Sequence, residues 1–81
     1  MNTVRYFAAA AAAAGCDEEK LDLPADLPLT ALVEQLSFRY GPKLSLVLAS
    51  SSFLIDGVAG SRERSVPAGA TVDVLPPFAG G

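Results

Sequence analysis

The sequence predicts an α+β fold, a mixed β-sheet with one main helix packed on one face. Three stretches predict it: a β-branched and aromatic run from Thr3 to Phe7, a helical spacing of apolar residues between Pro28 and Gly41, and an alternating run from Thr71 to Leu75. Strand-forming ends around a helical middle give a sheet that closes over a helix. With 81 residues the chain has room for one domain and a modest core, because a domain this small buries only somewhat over half of its unfolded surface.

Thr3 to Phe7 alternates so that Val4 and Tyr6 share one face and Arg5 and Phe7 the other. Ala8 to Ala14 favour a short helix by propensity, and Gly15 closes it. Leu21 and Leu23, with Lys20 and Asp22 on the opposite side, form a second strand ending at Pro24. The first two strands then make a hairpin with a long, partly helical connection.

Leu29, Leu32, Val33, Leu36 and Tyr40 line one face of a helix of roughly three turns, and Gly41-Pro42 stops it. Its start lies within a turn of Pro28, which suits a first-turn position, while Asp26 and Thr30 compete as the cap. Leu44 to Ala49 fits either a short helix or a strand. Phe53-Leu54-Ile55 is a short strand ending in Asp56-Gly57, a tight-turn pair, and Val66 follows the polar stretch from Ser61 to Ser65. After a turn at Pro67-Ala68-Gly69-Ala70, Thr71 to Leu75 is the final strand, with Val72 and Val74 inward and Thr71, Asp73 and Leu75 outward. Strand, strand, helix, strand, turn, strand packs as the β-grasp, or ubiquitin-like, arrangement over residues 1–75, leaving residues 76–81 as an extended tail.

Composition narrows the function classes. Hydrophobic residues make up 51% of the chain and the mean hydropathy is +0.36, but alanine inflates both values and no run reaches membrane-spanning length. The six basic residues are scattered and the net charge is −3, which argues against nucleic-acid binding. With no histidine and one cysteine, most metal-ligand sets, disulfide frameworks and Ser-His or Cys-His arrangements are excluded. Met1 to Cys16 has features of a lipoprotein signal: Arg5, an alanine run and Ala-Ala-Gly-Cys. The alanine run is short and lacks leucine, so the stretch is expected to supply the first strand of a cytoplasmic protein, with a lone reduced thiol suited to that compartment.

Cys16 has no neighbouring base or cation to activate it beside Asp17, Glu18 and Glu19, and reads as structural. The acidic run itself reads as a solvated loop or a steering patch for a basic partner. Asp56-Gly57 reads as a hairpin turn, with no second acid spaced to join it at a metal.

The distinctive segment is Pro76-Pro77-Phe78-Ala79-Gly80-Gly81, without a charged side chain, stiffened by two prolines and ending in two glycines. Fully extended it spans roughly 20 Å, and glycine allows the close backbone approach that a narrow channel demands. Leu75-Pro76-Pro77-Phe78-Ala79-Gly80-Gly81 resembles the terminus of the molybdopterin synthase small subunits, a family of ubiquitin-like sulfur carriers. Val4-Arg5-Tyr6-Phe7-Ala8 resembles that family's opening strand, and the likeness in element order covers essentially the whole chain.

This resemblance implies that the Gly81 carboxylate is the working group and that Pro77, Phe78, Ala79 and Gly80 insert into a partner's active site. It implies an E1-like adenylyltransferase that activates Gly81 with ATP, a sulfurtransferase as persulfide source, and a synthase large subunit, with the small chain in a heterotetramer. There the sulfur passes to cyclic pyranopterin monophosphate, building the dithiolene that later holds molybdenum. The chain itself is expected to bind no cofactor or metal and to be a sulfur-donating subunit rather than a catalyst. In the ubiquitin-like arrangement Phe7 and Leu75 stand side by side at the root of the tail and away from the helix, a partner-binding face, with Arg5 and Asp73 as a solvated cross-strand ion pair beside them. The start of the main helix, Leu27-Pro28-Leu29-Thr30, and the uncharged alanine connector depart from the family pattern. Carriers for thiamine or cysteine synthesis share the Gly-Gly end, a ubiquitin-like protein modifier would join Gly81 to a lysine amine, and a plain interaction domain would leave the tail idle.

Overall fold

The computed structural model describes residues 1–77. Its main sheet has the order β2 (Glu18–Leu21), β1 (Asn2–Tyr6), β7 (Thr71–Leu75), β4 (Ser52–Ile55), β5 (Val58–Ala59). At its centre β1 (Asn2–Tyr6) lies parallel to β7 (Thr71–Leu75), with Val4 opposite Val72 and Tyr6 opposite Val74. Those side chains are buried on the helical side, as the alternation predicts. The first strand begins and ends one residue earlier than expected, yet Phe7 still donates its N–H to the Val74 carbonyl at 3.3 Å. Asn2, which carries no sequence signal, is buried and donates from Nδ2 to the carbonyls of Pro67 and Ala70 at 2.9 and 3.0 Å. It pins the turn before β7 to the first strand.

Helix α1 (Ala9–Ala14) ends at Gly15, whose φ of 79° only glycine takes without strain and whose N–H returns to the Ala11 carbonyl at 2.8 Å. A helix of six residues is too short to persist alone. Burial of Ala10 and contact with the third helix hold it. The next strand, β2 (Glu18–Leu21), is antiparallel to β1 and starts earlier than predicted, so Leu23 lies beyond it and the acidic run is largely strand rather than loop. The reason is the register: Glu18 pairs with Arg5 and Glu19 with Val4, which the short α1 connection requires.

The main helix, α2 (Leu29–Tyr40), buries Leu29, Leu32 and Leu36. Neither Asp26 nor Thr30 caps it. Its first amides instead donate across the chain, Leu29 to the Arg64 carbonyl at 2.8 Å and Thr30 to the Arg62 carbonyl at 3.0 Å. Just before it, β3 (Leu27–Pro28) pairs with β6 (Ser65–Val66) in a small second sheet that the sequence does not signal.

Gly41, at φ 86°, breaks the chain direction, and Pro42 opens α3 (Pro42–Ser50). The stretch from Leu44 to Ala49 is thus helical, and the layer on the sheet is α2 with α3 and α1 rather than one main helix alone. Leu44 and Leu48 are buried one turn apart, while Leu46 is 75% exposed. The remaining hairpin joins β4 (Ser52–Ile55) to β5 (Val58–Ala59) through Asp56 and Gly57, both at positive φ, as a type I′ turn requires. Asp56 Oδ1 also accepts the Thr71 N–H at 2.9 Å, so this acid serves the turn.

Arg62 locks α3 to the loop that starts α2. Its Nη2 donates to the carbonyls of Leu48, Ala49 and Ser51 at 2.7, 3.2 and 2.9 Å, and its guanidinium lies 4.8 Å from the Phe53 ring centroid. Arg62→Ala therefore loses a cationic cap on the carbonyl end of α3 and a cation–π contact. A loss of about 1 to 2 kcal/mol is expected, measurable by urea denaturation; Arg62→Lys should recover only part of it, because an ammonium lacks the planar fork.

Candidate functional site

The edge of the structure that matters is where β7 ends. Leu75 and Pro76 are half-buried and Pro77 is exposed. Phe78, Ala79, Gly80 and Gly81, the residues expected to insert and react, lie outside the described residues. On the sheet face turned away from the helices, Phe7 is 40% exposed and stands beside Leu75, because Phe7 follows Tyr6, which is opposite Val74. The two expected docking residues are therefore brought together at the tail's root.

Arg5 and Asp73 are opposite one another in the parallel ladder. Arg5 Nε donates to Oδ1 at 2.6 Å and Nη2 to Oδ2 at 2.9 Å, a bidentate pair. The hydrogen bond to Asp73, and then its charge, raise the pKa of Arg5 above the usual guanidinium value. The pair is not a solvated one as expected: the Asp73 side chain is 7% exposed and that of Arg5 47%. Asp73 is flanked in register by Arg5 on one side and Leu54 on the other. The Arg5 guanidinium carbon also lies 5.7 Å from the Phe7 ring centroid, which holds that ring over the ladder.

A second polar cluster, invisible in the sequence, ties β2 to the helical layer. Glu19 Oε2 accepts from the hydroxyls of Tyr6 and Tyr40, each at 2.5 Å, and Oε1 lies 3.2 Å from Arg39 Nη1. The two rings meet edge to face at 6.1 Å. Burial and the carboxylate beneath it push the Tyr40 phenol up to about 12, and burial raises Tyr6 further still. Folded pKa values above the unfolded value mean that the native state holds these protons longer. Their contribution to stability is complete below about pH 10, the ordinary phenol value; that of Tyr40 is lost as pH rises through about 12, and that of Tyr6 only at higher pH. The chain has two tyrosines, so ultraviolet titration should show little phenolate at pH 10 in the folded protein and about half in urea.

Cys16 is half-buried against the core. Among the described residues no group of three or more His, Cys, Asp and Glu side chains could hold a metal ion, and no helix is long and apolar enough to cross a membrane. What the geometry offers is a sheet end with an apolar pair, a half-buried ion pair behind it, and the strand after which the tail begins.

Comparison with known proteins agrees with this architecture. A profile of the ThiS family matches residues 4–81. SAMP1 of Haloferax volcanii superimposes with a TM-score of 0.82 at 24% identity, covering 99% of this chain and 98% of that one. A Pyrococcus furiosus protein assigned as molybdopterin converting factor, subunit 1, gives 0.82 at 27% identity over 95% and 97%. No curated protein matches in sequence.

Proposed function

The chain belongs to the ThiS family, and from that premise we propose that it works in the cytoplasm as the sulfur carrier subunit of a molybdopterin synthase. At the coarser level it is a ubiquitin-like sulfur carrier or modifier. The observation that carries the reading is that the family profile runs through the tail to Gly81, the residue whose carboxylate would react. The Pro76-Pro77-Phe78-Ala79 lead-in and the likeness to a molybdopterin converting factor subunit support the molybdopterin branch.

A carboxylate is a poor electrophile, so its oxygen first displaces pyrophosphate from ATP to give an acyl-adenylate. A persulfide sulfur then displaces AMP, and a thiol cleaves the resulting acyl disulfide, leaving the thiocarboxylate and a new disulfide. In a synthase large subunit the thiocarboxylate sulfur passes to cyclic pyranopterin monophosphate. The sheet end supplies positioning: Phe7 and Leu75 dock, and the two prolines aim Phe78 to Gly81 into the partner. Phe7→Asp or Leu75→Asp is expected to weaken large-subunit binding by more than about 1 kcal/mol while leaving the monomer folded, as calorimetry can measure.

The likeness to SAMP1, a small archaeal modifier protein, favours a second reading in which Gly81 is joined to lysine amines. Intact mass after incubation with ATP, an E1-like adenylyltransferase and a persulfide donor separates the two. Exchange of one oxygen for sulfur supports the carrier, whereas a ladder of conjugates supports the modifier. Adding thiamine- or cysteine-pathway acceptors alongside the pterin tests the branch.

A further inference from the structure

The two edges of the main sheet differ. β5 is two residues long, and Arg64 folds against it with Nη1 donating to the Val58 carbonyl at 3.0 Å, the kind of cover that keeps an edge from pairing. β2 has four residues and no such cover. The Tyr6 N–H donates to the Asp17 carbonyl at 2.7 Å, which sets the phase of the antiparallel ladder. Asp17, Glu19 and Leu21 turn their main-chain groups toward β1, and Glu18 and Lys20 turn theirs away. Among the described residues no other main-chain group takes up the N–H or C=O of Glu18 or Lys20.

We propose that this open edge pairs with the same edge of a second copy of the chain, antiparallel about a two-fold axis at Glu19. Outward-facing groups meet only in a register centred on a residue, not between two. Centred on Glu19, the register sets Glu18 of each copy against Lys20 of the other, and each such pair exchanges both of its main-chain hydrogen bonds. Glu18 and Lys20 are exposed and lie beside Arg5 and Thr3 on the sheet face away from the helices. Among the described residues neither takes part in an ion pair, so the same register adds a cross-strand ion pair at each end. Centring on Glu18 or on Lys20 instead sets that residue against its own copy, where like charges repel. Glu19 can sit at the axis because its carboxylate turns to the helical side, where Tyr6, Tyr40 and Arg39 hold it. The pairing doubles the five-stranded sheet and keeps the helices of both copies on one side. β1 runs in opposite directions in the two copies, so the sheet ends with Phe7 and Leu75 point away from each other and stay open to other partners. A strand pair this short buries less than the roughly 1,200 Å² of stable complexes, so the dimer forms at high protein concentration.

Sedimentation of the full chain at rising concentration, up to about 1 mM, tests this together with hydrogen exchange of the Glu18 and Lys20 amides. The mass should rise toward that of a dimer as those two amides become protected. Glu18→Lys or Lys20→Glu alone sets like charges opposite each other and should weaken association about tenfold, the effect summed over two cross-strand pairs. Combining Glu18→Lys with Lys20→Glu makes the charges opposite again and should return most of the affinity. Both side chains are exposed, so the remaining amide signals report an intact fold in each variant. A chain that stays monomeric, an affinity indifferent to either single exchange, or a double exchange as weak as the singles would overturn the proposal. Edge amides that an added lysine-rich extended peptide protects while the chain stays monomeric would assign the edge to a partner strand and overturn the self-pairing.

Discussion

A chain lacking Gly81 is expected to fold like the full chain and to deliver sulfur at least about a hundredfold more slowly. Deletion leaves a carboxylate in place but draws it back by one residue, roughly 3.5 Å. A misplacement of even about 1 Å at a reacting centre can cost that much in rate. Extension beyond Gly81 should be as damaging for a different reason, since the carboxylate becomes an amide that ATP cannot activate. Gly81→Ala should be milder, keeping the carboxyl group and adding one methyl. The measurement is a reconstituted assay that follows terminal mass and dithiolene product together, with thermal melting as the control. Wild-type sulfur delivery by the shortened chain would end the carrier reading.

The largest expected loss of stability comes from Glu19→Ala. This carboxylate accepts two phenol hydrogen bonds, and its own side chain is 13% exposed. Removing it leaves the Tyr6 hydroxyl, on a buried residue, without its acceptor and loosens β2 from α2. Hydrogen bonds to charged groups and the cost of an orphaned buried donor together give about 2 to 3 kcal/mol. Tyr6→Phe should cost about 1 kcal/mol in the native background and almost nothing once Glu19 is alanine. Chemical denaturation of the four proteins of that cycle checks it, and equal effects of Tyr6→Phe in both backgrounds would show that the bond contributes nothing.

How much of this could be read from the chain depends on how local each cause is. The inward and outward faces of β1 and β7 follow from alternation, because a strand with one buried face repeats every two residues. α2 follows from the spacing of its leucines. α3 does not, since Leu44, Leu46 and Leu48 alternate like a strand, and only the packing of Leu44 and Leu48 on the sheet decides for the helix. The start of α2 was equally hidden, its amides being satisfied by carbonyls of a loop more than thirty residues away. Glu19 reads as solvent-facing among its acidic neighbours, while its partners lie 13 and 21 residues off. Asp73 lies on the expected face, but its burial depends on side chains from both neighbouring strands. The candidate reacting tail is the opposite case. Its chemistry is written in residue types at one end of the chain and needs no tertiary neighbour to be recognised.

The parallel pairing of β1 with β7 has a consequence for how the molecule comes to exist during synthesis. Arg5 and Asp73 are 68 residues apart, so the two central strands cannot meet until nearly the whole domain has left the ribosome. Closing so long a loop makes this step slower than forming the helices or the β4–β5 hairpin. Until then Val4 and Tyr6 have no strand on one side, and the half-made sheet exposes an apolar edge open to chaperones and to aggregation. The strand that completes the fold is the same one that carries the tail. A chain stalled or cut before Thr71 would therefore lack both a closed core and the residues that follow β7, so the β1–β7 sheet end exists only in finished molecules.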